Sequence, residues 1–172
     1  QQNQTELGIS NMPTNNPLIP DFAKTNSAIT KSLNTSTDFL WAKERLRVLS
    51  ASNPTNALAE YRNGIDGYNR HLSEEQKYGM ALAYNENRQG SNAEPILNDL
   101  YKKYPNNIWI SIARAQAAEM ANKTALAQTR FEHLLTQFPN NRAVIIAYAQ
   151  FLIKQNDRKL AARAQLILRT LS

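Results

Sequence analysis

Hydrophobic residues recur at helical spacing from about residue 38 to the end of the chain. A first helix is predicted over about 38–51, where Asp38 can cap the start and the apolar residues on one face are Leu40, Trp41, Leu46 and Leu49. Asn53-Pro54 then interrupts the pattern. A second helix is predicted over about 55–70, with Leu58, Tyr61 and Ile65 on one face.

Residues 1–37 differ from the rest of the chain. They are rich in Asn, Gln, Ser and Thr, and they contain three prolines but a single aromatic residue, Phe22. Such a composition favours a flexible linker or irregular N-terminal arm. The segment 38–172 is therefore the predicted folded domain.

The folded domain carries an internal repeat of 34 residues. Tyr104-Pro105-Asn106-Asn107 recurs as Phe138-Pro139-Asn140-Asn141. Three ladders keep the same step, namely Ala81, Ala115 and Ala149, then Ala93, Ala127 and Ala161, then Leu100, Leu134 and Leu168. A 34-residue period is that of the tetratricopeptide repeat (TPR), a helix–turn–helix unit. The sequence therefore predicts an all-α, tetratricopeptide-repeat helical-hairpin solenoid.

The repeat predicts units at 74–107, 108–141 and 142–172, with 38–73 as a degenerate first hairpin. Ser73, followed by Gln76, predicts a capping box at the start of the first regular unit. The alanines allow close helix approach, and Leu97 and Phe131 would fill the space between units. Proline in the Pro-Asn-Asn motif ends the second helix of a unit, and the asparagines suit the next turn and cap.

The residues that most catalysis would need are scarce. The chain has no Cys, five Gly and two His, and it lacks zinc-protease, Walker, dinucleotide and serine-hydrolase motifs. We therefore predict no catalytic residue, no metal site and no cofactor. His71 and His133 are interpreted as surface or interface residues, with zinc ligation as the alternative.

The net charge of +6 is concentrated at one end of the chain. Residues 142–172 contribute +5, and four of their cations form a predicted basic patch: Arg158, Lys159, Arg163 and Arg169. The patch suits an acidic protein or lipid headgroups, or it is merely a solvated face. Nucleic acid is disfavoured, because stacking aromatics are not interleaved with these cations. The longest apolar stretch, Ala143 to Ile153, is too short to span a bilayer.

The first helices of stacked units would line a concave, partner-binding face. Counting along these helices predicts the face residues Tyr78, Asn85, Trp109, Ile112, Gln116, Ile146, Gln150 and Lys154, with Leu82 and Ile153 beside them. Apolar anchors with amides around them suit a bound peptide, whose backbone pairs with amides. The alternative is that the apolar members are core and only the polar ones face a groove.

The order of these features resembles a known family. Phe39-Leu40-Trp41-Ala42-Lys43-Glu44-Arg45, a loose hairpin, and then Gln76-Lys77-Tyr78-Gly79-Met80-Ala81-Leu82 are similar to the C-terminal TPR domain of β-barrel assembly-enhancing (BepA-type) periplasmic zinc metalloproteases. The resemblance covers roughly 17–172. It implies a periplasmic substrate-recognition and docking module without a catalytic motif of its own. The implied partners are outer-membrane assembly machinery and unfolded outer-membrane proteins.

Two other functions remain open from the sequence. The chain could be a stand-alone TPR adaptor or assembly scaffold of the secretion or pilus type, or a regulatory arm that occludes a protease active site. We also expect self-association, since Leu166, Ile167 and Leu171 lie in a last unit that has no capping helix.

Overall fold

The described part of the chain is entirely helical. The computed structural model describes residues 36–68 and 72–172, without the side chains of 36–39 and 64–68. Within these residues there are eight helices and no strand: α1 Ser36–Leu49, α2 Pro54–Tyr68, α3 Glu74–Glu86, α4 Gly90–Lys103, α5 Ile108–Met120, α6 Thr124–Gln137, α7 Arg142–Lys154 and α8 Arg158–Arg169. The predicted all-α class is confirmed. The predicted arm, except its last two residues, lies outside the described residues.

The first two helices begin slightly earlier than predicted. α1 begins at Ser36, so Asp38 lies in its first turn instead of capping it. α2 begins at Pro54 itself, where the missing N–H costs nothing because first-turn amides have no partner within the helix. Asn53 Oδ1 accepts a hydrogen bond from the Thr55 amide at 2.9 Å.

The predicted caps of the regular helices are present. Ser73 Oγ accepts from the Gln76 amide at 3.1 Å, and the Gln76 side chain accepts from the Ser73 amide at 2.9 Å. Asn107 and Asn141 cap α5 and α7 through their side-chain oxygens. α4 and α6 each end two residues before the proline of the Pro-Asn-Asn motif, as expected from the backbone restriction that proline imposes on the residue before it.

The helix boundaries recur at the predicted 34-residue step. α3, α5 and α7 begin at 74, 108 and 142, and α4, α6 and α8 begin at 90, 124 and 158. The turn between the helices of each pair contains one residue with positive φ: Arg88 (58°), Asn122 (61°) and Asn156 (57°). Asparagine tolerates this left-handed conformation, whereas arginine adopts it at a cost. Local turn geometry therefore repeats together with the helices.

The described residues fall into two compact units that divide within α6, between Arg130 and Phe131. In the first unit, α3 packs against α1, α2 and α4, and α4 packs against α5. In the second unit, α7 packs against α8. Residues of the alanine and leucine ladders are buried, apart from the partly exposed Ala161, and Leu97 and Phe131 are fully buried.

Gly90 marks a close approach of two helices in the first unit. A Cβ atom at this position would lie 2.6 Å from the Ala121 nitrogen and 2.8 Å from the Met120 carbonyl carbon, and closest of all to the Ala117 carbonyl oxygen. These are backbone atoms at the end of α5, which cannot rotate away as a side chain can. The start of α4 can therefore rest on α5 only because residue 90 has no side chain.

A charged network ties α4, α5 and the first half of α6 together. Arg130 donates hydrogen bonds to the Glu94 carboxylate and, at 2.8 Å, to the Arg114 carbonyl oxygen. Arg114 in turn donates to Asn98 Oδ1 at 3.0 Å. Burial alone would raise the pKa of Glu94, but the hydrogen bond and charge of Arg130, with Arg114 beside it, hold that pKa below its usual value.

No described helix is long and apolar enough to cross a membrane.

Candidate partner-binding surfaces

Five of the predicted face residues lie in the first unit. Tyr78 and Asn85 belong to α3, and Trp109, Ile112 and Gln116 belong to α5. Tyr78 and Ile112 are completely buried, Asn85 and Trp109 are almost so, and Gln116 is half-buried. The apolar members therefore lie in the packed interior of this unit, and Gln116 is the member with a solvent-accessible side chain. Their role in partner binding stays a prediction.

Side chains from α1 cover part of this face. The Trp41 ring lies 5.4 Å from Tyr78 and 5.5 Å from Tyr104, in tilted and edge-on arrangements. The Arg45 guanidinium lies 4.6 Å from the centre of the Trp109 ring, in a cation–π contact. Burial raises the pKa of Tyr78, and the charge of Arg45 partly opposes that rise. The phenol is therefore neutral throughout the physiological pH range.

The role of Arg45 was not predicted from the sequence, although a signal was present. Trp41 and Arg45 are four residues apart, so they share one face of α1. Arg45 is only 3% exposed, and a buried arginine usually has a specific partner. The spacing could have placed both residues on one interface, but it could not have identified Trp109 as the contact.

Asn85, on the same face, has a side-chain oxygen without a hydrogen-bond partner among the described residues. Its Nδ2 donates to the Ala113 carbonyl oxygen at 3.1 Å, whereas its Oδ1 is buried and has no hydrogen-bond partner among the described residues. An unpaired buried carbonyl costs about 1–3 kcal/mol. Because this oxygen is covered by surrounding atoms, a donor from a partner could reach it only if neighbouring side chains moved.

The second unit contains the other three predicted face residues, all on α7. Ile146 is completely buried, Gln150 is 7% exposed and Lys154 is half-buried. The Gln150 Nε2 atom is buried and has no hydrogen-bond partner among the described residues. It is a donor, and a carbonyl group of a partner could reach it only if the side chains that cover it moved. The described residues of each unit thus include one buried amide side chain with an unpaired polar atom.

Aromatic rings fill the space between α7 and the second half of α6. Phe131 stacks on Tyr148 with ring centres 5.7 Å apart and contacts Phe151 at 5.1 Å. The Tyr148 hydroxyl donates to the Glu132 carboxylate at 3.3 Å. Burial, together with Glu132 and against the opposing charge of Arg163, raises the pKa of Tyr148 to about 12.

The predicted basic patch lies on α8. Arg158, Lys159, Arg163 and Arg169 are all exposed. Arg163 forms a salt bridge with Glu132 at 3.2 Å and lies 5.4 Å from the Tyr148 ring centre. Asp157, which precedes the helix, caps it by accepting from the amides of Lys159 and Leu160.

The described residues include no group of three or more His, Cys, Asp or Glu side chains that could hold a metal ion. His133 is exposed on α6, and His71 lies outside the described residues.

The described residues offer two kinds of surface: faces with buried amide side chains, and the cationic helix α8. No family model, no curated protein and no solved structure significantly resembles the chain.

Proposed function

We propose that residues 38–172 form a non-catalytic TPR domain that binds protein partners. The 34-residue step of the helix starts, together with the buried alanine ladders, supports the repeat architecture. Repeats of this kind use stacked hairpins as a scaffold for extended binding surfaces. The hairpin 38–73 is the degenerate first repeat in this proposal.

The observation that carries the binding proposal is the unused amide atom on each predicted face. Asn85 offers an acceptor and Gln150 a donor, and both are buried among apolar side chains. Native proteins rarely leave such atoms unpaired, so each one needs an explanation. An extended peptide has the complementary N–H and C=O groups at regular intervals, and it would reach these two covered atoms once neighbouring side chains move on binding. We therefore assign these faces to the recognition of a peptide or unfolded segment.

In its specific form, the proposal is that this domain is the docking module of a cell-envelope zinc metalloprotease that acts in outer-membrane protein quality control. The resemblance over 17–172 supports this form and a periplasmic location. A His-Glu-x-x-His motif encoded upstream of Gln1 would support it further. A lipobox immediately upstream would instead favour the stand-alone adaptor.

Site-specific photo-crosslinking in the native host tests the binding proposal. A photoreactive phenylalanine analogue at Gln116, which is half-buried beside Asn85's helix, should crosslink to a protein partner. The same analogue at Lys102, an exposed residue of α4 in the same unit, serves as the matched control and should not. Asn85→Leu should reduce crosslinking from position 116 by about tenfold, because the unused acceptor is lost.

Equal crosslinking from both positions would contradict a specific binding face. Unchanged crosslinking in the Asn85→Leu protein would remove the buried amide from the mechanism. Circular dichroism of that variant must match the parent protein, so that lost binding is not confused with unfolding.

A further inference from the structure

The exposed face of α8 combines positive charge with an exposed apolar centre. Leu166 is 60% exposed, the largest value for any large apolar side chain among the described residues. Lys159, Ala162, Leu166 and Arg169 follow one another at steps of three, four and three residues, so they form a single stripe along the helix. The stripe is about 15 Å long, from the helical rise per residue.

The charges of this face are largely uncompensated. No acidic residue occurs after Asp157, and the Asp157 carboxylate is engaged in capping. Arg163 is paired with Glu132. Arg158, Lys159 and Arg169 have no ion-pair partner among the residues that the structure describes. Three cations thus lie along α8 before and after Leu166, and none of them is neutralised by a residue that the structure describes.

The position of two of these cations is unfavourable for the helix itself. Arg158 and Lys159 occupy the first turn of α8, where the helix dipole favours anions, and this turn contains no acidic residue. α3 of the first unit shows the favourable arrangement, with Glu74 and Glu75 in its first turn. The Asp157 carboxylate offsets part of this cost from the cap position, and the two exposed cations remain available to a partner.

We propose that this face of α8 binds an acidic protein segment that carries apolar side chains. The carboxylates of the partner would pair with Arg158, Lys159 and Arg169, and one aliphatic or aromatic side chain would cover Leu166. Arginine suits this role because its guanidinium binds a carboxylate through two parallel hydrogen bonds. The proposal rests on the proposed protein-binding function and adds a second surface with a defined partner chemistry.

The described packing favours a protein partner over an anionic membrane. A helix that lies in a membrane surface needs its whole apolar face free to enter the lipid. In α8 that face is occupied, since Ala164 and Leu168 are buried in the packing of α8 against α7. Leu166 is the only large apolar side chain of α8 that is exposed, since Leu160 and Ile167 are partly buried.

Fluorescence anisotropy with a labelled acidic amphipathic peptide tests the proposal. The probe is a capped peptide of about 18 residues made of Glu and Leu at helical spacing. The full chain should bind it, and the triple variant Arg158→Ala, Lys159→Ala, Arg169→Ala should bind at least about tenfold more weakly, with a shallower salt dependence. Leu166→Ala should weaken binding about fivefold without changing the salt dependence.

Three comparisons make the result decisive. The matched control Lys43→Ala, Lys102→Ala, Lys123→Ala removes the same charge from exposed positions elsewhere and should bind the probe like the parent protein. A peptide with Ser in place of Leu should bind more weakly than the probe. Vesicles of phosphatidylserine and phosphatidylcholine should bind the parent protein no better than they bind the α8 triple variant.

The opposite outcomes would overturn the proposal. Equal losses in both triple variants would indicate non-specific attraction, and vesicle binding that depends on the α8 cations would indicate a membrane surface. If the α8 variants bind the probe normally while Asn85→Leu still abolishes crosslinking from position 116, the α8 proposal is wrong and the proposed function stands. If crosslinking also fails in the parent protein, both are wrong.

Discussion

Replacing Gly90 with Ala sets two physical effects against each other. Helix propensity favours Ala over Gly by about 0.5–1 kcal/mol, so a reading of local sequence predicts a more stable protein. The structure predicts the reverse, because the new Cβ would lie within 2.8 Å of three backbone atoms of α5. Overpacking of this kind costs about 1–3 kcal/mol and more where backbone must shift. The expected net result is a loss of about 2 kcal/mol in the free energy of unfolding.

The equivalent positions in the other repeats carry side chains, so the repeat pattern alone does not predict a need for glycine at residue 90. Thr124 and Arg158 begin the equivalent helices α6 and α8, so alignment of the units alone would allow a side chain at residue 90. Urea denaturation followed by circular dichroism measures the change. Ser91→Ala, at the adjacent exposed position, is the matched control and should be neutral or slightly stabilising. A Gly90→Ala protein at least as stable as the parent would refute the close approach of α4 to α5.

Three further substitutions test other features of the fold. Glu94→Gln should lower the free energy of unfolding at pH 7 by about 1–2 kcal/mol. Because the pKa of Glu94 is lowered in the folded state, the stabilisation by its carboxylate is complete above about pH 5 and disappears as the pH falls through the folded pKa. A parent protein and a variant that lose stability in parallel during acid titration would contradict the network. Arg88→Gly should raise the free energy of unfolding by about 1 kcal/mol, since it relieves a positive φ, whereas Asn122→Gly should change it less; equal effects in urea denaturation would argue against strain at Arg88. Asn141→Ala should cost about 1 kcal/mol through loss of the α7 cap, and an unchanged thermal midpoint would show that the cap contributes little.

Features set by neighbouring residues were predictable from the sequence. The capping box of Ser73, the asparagine cap at residue 141 and the helix ends before Pro105 and Pro139 all depend on atoms within one turn of each other. Short-range steric and hydrogen-bonding rules determine such features. The start of α1 was misplaced by two residues, because both Ser36 and Asp38 suit a helix N-terminus and only one can be the first residue.

Features that join distant segments were not predictable. Glu94 and Arg130 are 36 residues apart, and no spacing rule links their side chains. The contact of Arg45 with Trp109 likewise depends on the packing of α1 against α3 and of α3 against α5. The apolar members of the predicted face illustrate a second limit. Helical spacing places Tyr78 and Ile112 on a face, but only packing determines that both are completely buried.

The positions of the two tryptophans make the units separately observable. Trp41 and Trp109 are the only tryptophans of the chain, and both are buried in the first unit. Intrinsic tryptophan emission therefore reports the unfolding of that unit, whereas far-ultraviolet ellipticity reports every helix. Arrays of repeats can lose cooperativity along the chain. Fluorescence and ellipticity midpoints that differ would measure how far the helices beyond Arg130 can melt while the first unit stays folded.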